Sequence, residues 1–250
     1  MRVIAMVLMS AAAFGAAPVW QLPKGYHIEE YAREPRVIDP VAMDWDSQGR
    51  LYVLEASGQL KLFAAETKIV LPELLMLDGT NREVLISGLP QPGARGDANS
   101  LRFGADGWLY FTQGAQDEAE FYRFGTRAGD PRLISSGVVR IHSETKRIEM
   151  VADGMVFPRG LAFNEAGELF AADSSRNHLF QIFTGVSYER PLARDYIGYK
   201  PPALGAIADH RFLEGEFFGM TIYRGMVLVP NLHERSIHLE RLEPKGSTYR

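Results

Sequence analysis

The chain has 250 residues, 46% of them hydrophobic and 23% charged, with a formal net charge of −4. That composition suits one large globular domain with a substantial core and argues against a nucleic-acid partner, since the 27 basic residues form no stripe that could follow a phosphate backbone. Cysteine is absent, which excludes disulfides, thiolate zinc sites, a cysteine nucleophile and covalently attached haem of the CxxCH kind.

Residues 1–17, MRVIAMVLMSAAAFGAA, read as a secretory signal: Arg2 gives the positive start, Val3 to Phe14 the apolar stretch, and Gly15 to Ala17 the small-residue cleavage site. The expected mature protein begins near Pro18 and is periplasmic or extracellular. No later run reaches the ~18 apolar residues of a membrane span.

A strand is expected from Tyr26 to Ala32, broken by Pro35. From Asp39 to Phe63 the chain then sets out a unit that recurs: strand Val41 to Trp45, a polar turn ending in Gly49, strand Leu51 to Leu54 and strand Leu60 to Phe63. SLRFGADGWLYF and GLAFNEAGELFAAD repeat it, with turn glycines Gly49, Gly107 and Gly167 spaced by 58 and 60 residues. Each glycine can take the positive φ of a tight hairpin and is preceded by Asp46, Asp106 or Glu165. A fourth, degenerate copy, FGMTIYRGMVLVPN, places Gly225 another 58 residues on, without the acidic turn residue.

A period this long indicates propeller blades. The expected fold is therefore all-β: a β-propeller of four-stranded antiparallel blades over residues 18–250. Blade one runs from Val41 to Leu89, with EVLISGL as its outer strand. Blade two runs from Ser100 to Gly154 around a polar excursion from Gln113 to Ser136, and blade three begins at Leu161. A long insertion, Thr184 to Phe218, precedes blade four, which ends at RLEPKGSTYR after its third strand. That ending implies a partial ring, cut at the C-terminus and only marginally stable as a monomer; a closed four-bladed ring is the alternative.

Residues 22–250 resemble the exported propeller module of the PVC-type membrane-bound dehydrogenases, relatives of the glucose/sorbosone dehydrogenase propellers. The resemblance is carried by LPKGYHIEEYAREPRVIDPVAMDWDSQGRLYVLE, NSLRFGADGWLYFTQG, GLAFNEAGELFAAD with HLFQI, IADHR and LERLEPKGST. It implies about six blades in the whole fold, of which about four are present, and often an added cytochrome segment that would make a cytochrome or other protein a partner. It also implies oxidoreductase chemistry on sugars or polyols.

The departures bear on cofactors. Where quinone-dependent relatives place an arginine on the cofactor, this chain has Val156 within Gly154-Met155-Val156-Phe157-Pro158-Arg159-Gly160, so the guanidinium fork is missing and a quinone is doubtful. Gly93 to Asn99 lacks the histidine that such members often carry. The loop that looks calcium-binding in relatives is reduced to Leu77-Asp78-Gly79-Thr80-Asn81; calcium stays open and no metal ligands are assigned.

In a propeller, loops from outer to next inner strand, and those between second and third strands, crowd one face above the channel. Here those loops carry Asn99, Arg159, His178, Asn231 and His233, and the insertion adds Asp209, His210 and Arg211. The Asp-His-Arg run offers an orienting carboxylate, a base and an anion holder, which makes His210 and Asp209 the candidate catalytic pair. Arg211, Arg159, His178, Asn99, Asn231 and His233 are the candidate contacts to a small polar substrate such as a sugar. His233 and His238 lie five residues apart, so they suit neither a zinc helix nor one face of a strand. Trp45, Trp108, Tyr52 and Tyr110 read as blade packing, and no P-loop, dinucleotide fingerprint or G-x-S-x-G elbow occurs. Two functions follow, a dehydrogenase-like enzyme or a ligand- or protein-binding propeller that lacks a cofactor; a third, lactone hydrolysis by a calcium-bearing propeller, needs a cage of carboxylates and asparagines for which Glu34, Asn99, Asn177 and Asp209 are the candidates.

Overall fold

The computed structural model describes residues 4–6, 24, 27–29, 31–32, 35–38, 40–55, 73–78, 80–87, 89, 98–114, 119–123, 132–134, 136–174, 179–188, 204–207, 218–231 and 234–250. Among these there is no helix. In chain order the strands are β1 (Ile4–Met6), β2 (His27–Glu29), β3 (Pro40–Trp45), β4 (Leu51–Glu55), β5 (Glu73–Asp78), β6 (Asn81–Ser87), β7 (Ala98–Phe103), β8 (Trp108–Gln113), β9 (Ala119–Arg123), β10 (Arg132–Ile134) and β11 (Gly137–His142). They continue with β12 (Ile148–Asp153), β13 (Pro158–Phe163), β14 (Leu169–Asp173), β15 (Leu179–Ile182), β16 (Val186–Ser187), β17 (Thr221–Tyr223), β18 (Met226–Asn231), β19 (Ser236–Arg241), β20 (Pro244–Lys245) and β21 (Thr248–Tyr249).

Four antiparallel meanders follow one another: β3 to β6, β7–β8–β11–β12, β13 to β15, and β17 to β19. Their first strands pack side by side, β3 against β7, β7 against β13 and β13 against β17. That arrangement, with each sheet's first strand innermost, makes the sheets the blades of a β-propeller. Blades one and two have four strands in meander; blades three and four have three among the described residues.

The turn signature forms as the repeat requires. Gly49, Gly107 and Gly167 have φ of +79°, +80° and +80°, and their N–H groups donate to the carbonyls of Asp46, Gly104 and Asn164. A side chain at such φ is strained, which is why glycine recurs. In blade three Asn164, not Glu165, does what Asp46 does in blade one: its Oδ1 accepts the N–H of Ala166 and Glu168. An amide oxygen one residue earlier has the shorter reach that the turn needs. Glu165 instead accepts the backbone N–H of Arg224 in blade four. Arg224 and Gly225, φ +52° and +69°, form a two-residue hairpin of the kind that needs positive φ twice, so the fourth turn is shorter than the others.

Two expectations are corrected. The third strand of blade one is β5, whose Leu74 to Leu77 are buried; residues 60–63 lie outside the described residues. The excursion from Gln113 to Ser136 does not simply interrupt blade two: its hairpin β9–β10 pairs with β6 and extends blade one outward, covering backbone groups an edge strand would leave open. Similarly, β16 returns from blade three to pair in parallel with β12. β1 pairs in parallel with β2.

The core lies between blades. Tyr52, Leu54, Leu74 and Met76 of blade one bury against Leu101, Leu109 and Phe111 of blade two. Tyr110, Val138 and Val151 of blade two meet Leu161, Leu169, Ala171 and Phe180 of blade three. Ala162, Phe170, Ala172 and Leu179 then meet Met220, Val227 and Val229 of blade four. Each blade thus has a leading face toward the blade before it and a trailing face toward the blade after it. An edge-on aromatic pair marks the first two joints: Tyr52 with Phe103 at 4.8 Å and Tyr110 with Phe163 at 5.4 Å. At the third joint Tyr249, from the β20–β21 hairpin, takes that place against Phe170 at 5.5 Å.

Candidate functional site

The turn glycines lie at one end of the blades. At the other end, here called the loop end, the inner strands begin and the second strands finish, so loops that link blades must cross there. Pro40 pairs with Glu55, Ala98 with Gln113 and Pro158 with Asp173. Just past these pairs each inner strand slips register, between Pro40 and Ala42, Asn99 and Arg102, and Pro158 and Gly160. Such bulges bend a strand and re-aim its side chains.

Glu55, Gln113, Asp173 and Asn231 stand at one structural position, successively 58, 60 and 58 residues apart (55 to 113, 113 to 173, 173 to 231), and each is at most 1% exposed. A buried carboxylate or amide demands partners. Asp173 takes the N–H groups of Val156 at 2.7 Å and Phe157 at 3.0 Å, so one carboxylate fixes the loop that leads into blade three. Glu55 accepts the Ile38 N–H at 2.8 Å and lies 3.6 Å from Arg82 Nη2, holding the segment that leads into blade one. Asn231 accepts the Glu234 N–H at 3.2 Å, and Glu234 Oε2 is 2.8 Å from Nε2 of His238. Glu55, Asp173 and Asn231 thus fix the loop end, while the Gln113 amide is buried without a hydrogen-bond partner among the described residues; of the four only Asn231 is among the candidate contacts named from sequence. The signal was available: they repeat with the same period as the turn glycines, at the last residue of every second strand.

Of the sequence candidates, Asn99, Arg159 and Asn231 fall at the loop end of blades two, three and four. Asn99 Oδ1 accepts the Ser100 N–H at 2.7 Å, and its carbonyl accepts the Thr112 hydroxyl at 3.0 Å; Ser100 is held at φ +57°. Arg159 is the residue bulged out of β13. Its guanidinium lies over the Phe218 ring, 4.4 Å from the centroid, and its carbonyl accepts the Gly219 N–H at 2.6 Å. His178, Asp209, His210, Arg211 and His233 lie outside the described residues; His178 immediately precedes β15, and His233 follows β18 by two residues.

The aromatic residues serve packing. Arg140 lies over Trp108 at 4.3 Å and bonds Glu149 Oε2 through Nε at 3.0 Å and Nη2 at 2.6 Å. Tyr110 donates to Asp106 Oδ2 at 2.6 Å, and burial raises its phenol pKa. Burial pushes the Tyr52 phenol up to about 12. Near Asp46 burial acts upward, but hydrogen bonds and charge from Arg50 outweigh it and lower the carboxyl.

Among the described residues, the two loops compared with the cofactor sites of relatives are engaged in contacts of their own backbone. At the loop where a quinone would be held, the side chain at 156 is apolar and the N–H groups of Val156 and Phe157 already bond Asp173. The reduced acidic loop is the tight hairpin turn between Asp78 and Asn81, which pair directly. Among the described residues no three His, Asp or Glu side chains are grouped to hold a metal.

The chain matches the domain of unknown function DUF7133 over residues 16–61 and 62–212, and belongs to that family. No curated protein sequence matches it. Among solved structures it is similar to a protein described as an oxidoreductase (glucose dehydrogenase) from Thermus thermophilus, at 13% identity and TM-score 0.45, covering 86% of this chain and 82% of that one. It is also similar to the PQQ-bound aldose sugar dehydrogenase of Streptomyces coelicolor, at 15% identity and TM-score 0.42, covering 84% and 79%. A gluconolactonase from Xanthomonas campestris aligns at 18% identity and TM-score 0.46, covering 85% and 65%. Likenesses at this level carry nothing about chemistry, and the propeller assignment rests on the blades themselves.

Proposed function

We propose that this chain is an exported propeller that binds a small polar ligand of the sugar or polyol class at the loop end of its blades. The observation that carries the reading is the position of Asn99 and Arg159 at the same end of neighbouring inner strands, each beside a bulge, with the loop between blades two and three clamped by Asp173. Guanidinium and amide groups held this way complement hydroxyl and carboxylate oxygens. In this reading His178, His233 and Arg211 complete the contacts, and His210, oriented by Asp209, is the base toward a ligand hydroxyl. Export is proposed from the Arg2 start, apolar stretch and small-residue site of residues 1–17.

The resemblance to PVC-type membrane-bound dehydrogenases favours oxidation of such a ligand, with a cytochrome or other protein as partner. The apolar side chain at 156 favours a cofactor-free binding propeller instead, and no hydride step through a quinone is assigned to this chain. Titration calorimetry of the purified protein against sugars, polyols and a soluble quinone tests both. Sugar binding that disappears in the His210→Ala, Arg211→Ala double variant, with circular dichroism unchanged, is the expected result. Unaltered binding in that variant would overturn the site, and quinone binding by the parent would restore the dehydrogenase reading.

A further inference from the structure

Strand β8 ends on Gln113, which holds in blade two the place that Glu55, Asp173 and Asn231 hold in the other blades. Phe111 and Leu109, two and four residues before it, bury against blade one, so alternation along the strand turns Gln113 into that same joint at the loop end. The side chain is fully buried, and among the described residues neither Nε2 nor Oε1 has a hydrogen-bond partner. Its cross-strand neighbours are Ala98 on β7 and Gly137 on β11, and neither carries a polar side-chain atom.

A buried amide left this way works against folding, because its hydrogen bonds to water are given up and not replaced. The repeat shows what the position does elsewhere: in blade one the carboxylate accepts one loop N–H, and in blade three it accepts two. A second feature stands close by. Ser100, two residues after Ala98, is held at φ +57°, uncommon for a residue with a side chain, where β7 slips register. Unsatisfied buried polar groups and strained backbone gather at sites that bind, and here both fall at the loop end of one blade.

We propose, on the reading that the loop end takes a sugar or polyol, that Gln113 is a binding residue of that site and receives one ligand hydroxyl in the joint between blades one and two. An amide donates through Nε2 and accepts through Oε1, and a hydroxyl does both through one oxygen, so the two groups are complementary. Because the amide lies inside the joint, a single hydroxyl arm reaches it and a sugar ring does not.

Gln113→Leu removes both polar atoms at similar volume. Titration calorimetry of parent and variant against glucose, sorbitol and glycerol, beside urea unfolding of both without ligand, tests the assignment. Binding weakened at least tenfold, with a urea midpoint equal to or above that of the parent, is the expected result, since the ligand loses a partner while the ligand-free fold loses none. A midpoint that falls would show that the amide bonds the loop entering blade two, as Asp173 does for blade three, and would overturn the proposal. Unchanged binding would overturn it as well, leaving an ordered water as the only partner of the amide. If binding is then still lost in the His210→Ala, Arg211→Ala double variant, the loop-end site itself stands. A parent that binds none of the three probes overturns both. Gln113→Met takes the place of Gln113→Leu should that variant fail to fold.

Discussion

Asp173 shows how much one side chain can organise at the loop end. Replacing it by alanine leaves the Val156 and Phe157 N–H groups without their acceptor; the expected loss is about 1–3 kcal/mol in urea unfolding, with weaker ligand binding, because Arg159 follows the freed loop by two residues. Tyrosines set the alkaline limit. Burial pushes the phenols of Tyr52 and Tyr188 up to about 12 from 10.0. A folded-state pKa above the unfolded value means that stability is full below pH 10 and drains away as pH rises toward 12, since the unfolded chain ionises first. Denaturant midpoints measured across that window should fall together with the appearance of phenolate absorbance, and Tyr52→Phe should flatten the fall.

At the scale of elements, joints between blades contribute more than any blade contributes alone, since each sheet is apolar on the faces it shows its neighbours. Phe103 is partly buried at the first joint, so Phe103→Ala should cost less than the about 3–5 kcal/mol of a fully buried phenylalanine. A double-mutant cycle with Tyr52 should return a coupling of about 0.5–1.5 kcal/mol for the edge-on pair. Additivity within error in urea denaturation would show that the ring contact adds nothing beyond burial. The third joint replaces its inner-strand aromatic with Tyr249, whose hydroxyl bonds Glu168 while Thr248 Oγ1 bonds Gln181 Oε1 at 2.8 Å. The C-terminal hairpin is thus a clamp between blades three and four.

Across the whole molecule, Arg102 ties blades that are not neighbours. Its Nη1 donates to its own strand at Leu101 O, 2.7 Å, and its Nη2 reaches Met220 O, 3.2 Å, at the start of blade four. Asp44, one repeat earlier, instead accepts the Phe103 N–H at 2.7 Å and ties blade one to blade two. Close approach completes the arrangement: a Cβ on Gly160 would lie 2.8 Å from that of Met220 and 2.9 Å from that of Ala172. Arg102→Met should speed hydrogen exchange in β17 to β19 while leaving β3 to β6 as protected as before; a change confined to β7, β8, β11 and β12 would show that Arg102 stabilises only its own sheet.

Much of this was legible in the sequence because a propeller is periodic. The 58- and 60-residue intervals follow from turns that demand positive φ at Gly49, Gly107 and Gly167, a local requirement that any reader of the chain can see, and the strand before and after each turn follows from alternation and aromatic content. Local rules also identified Asn99, Arg159 and Asn231 as residues of the loop end. The assignment of β9 and β10 to blade one was not legible, since backbone pairing at a sheet edge is not encoded by side-chain pattern. Nor were the roles of Glu55, Asp173 and Glu165: a carboxylate looks the same in sequence whether it faces solvent, a ligand or a backbone N–H, and only the packed blades decide which. The sequence alone determined that blades form and where they turn. Tertiary structure decided which faces meet, because burial between sheets depends on residues a whole blade apart.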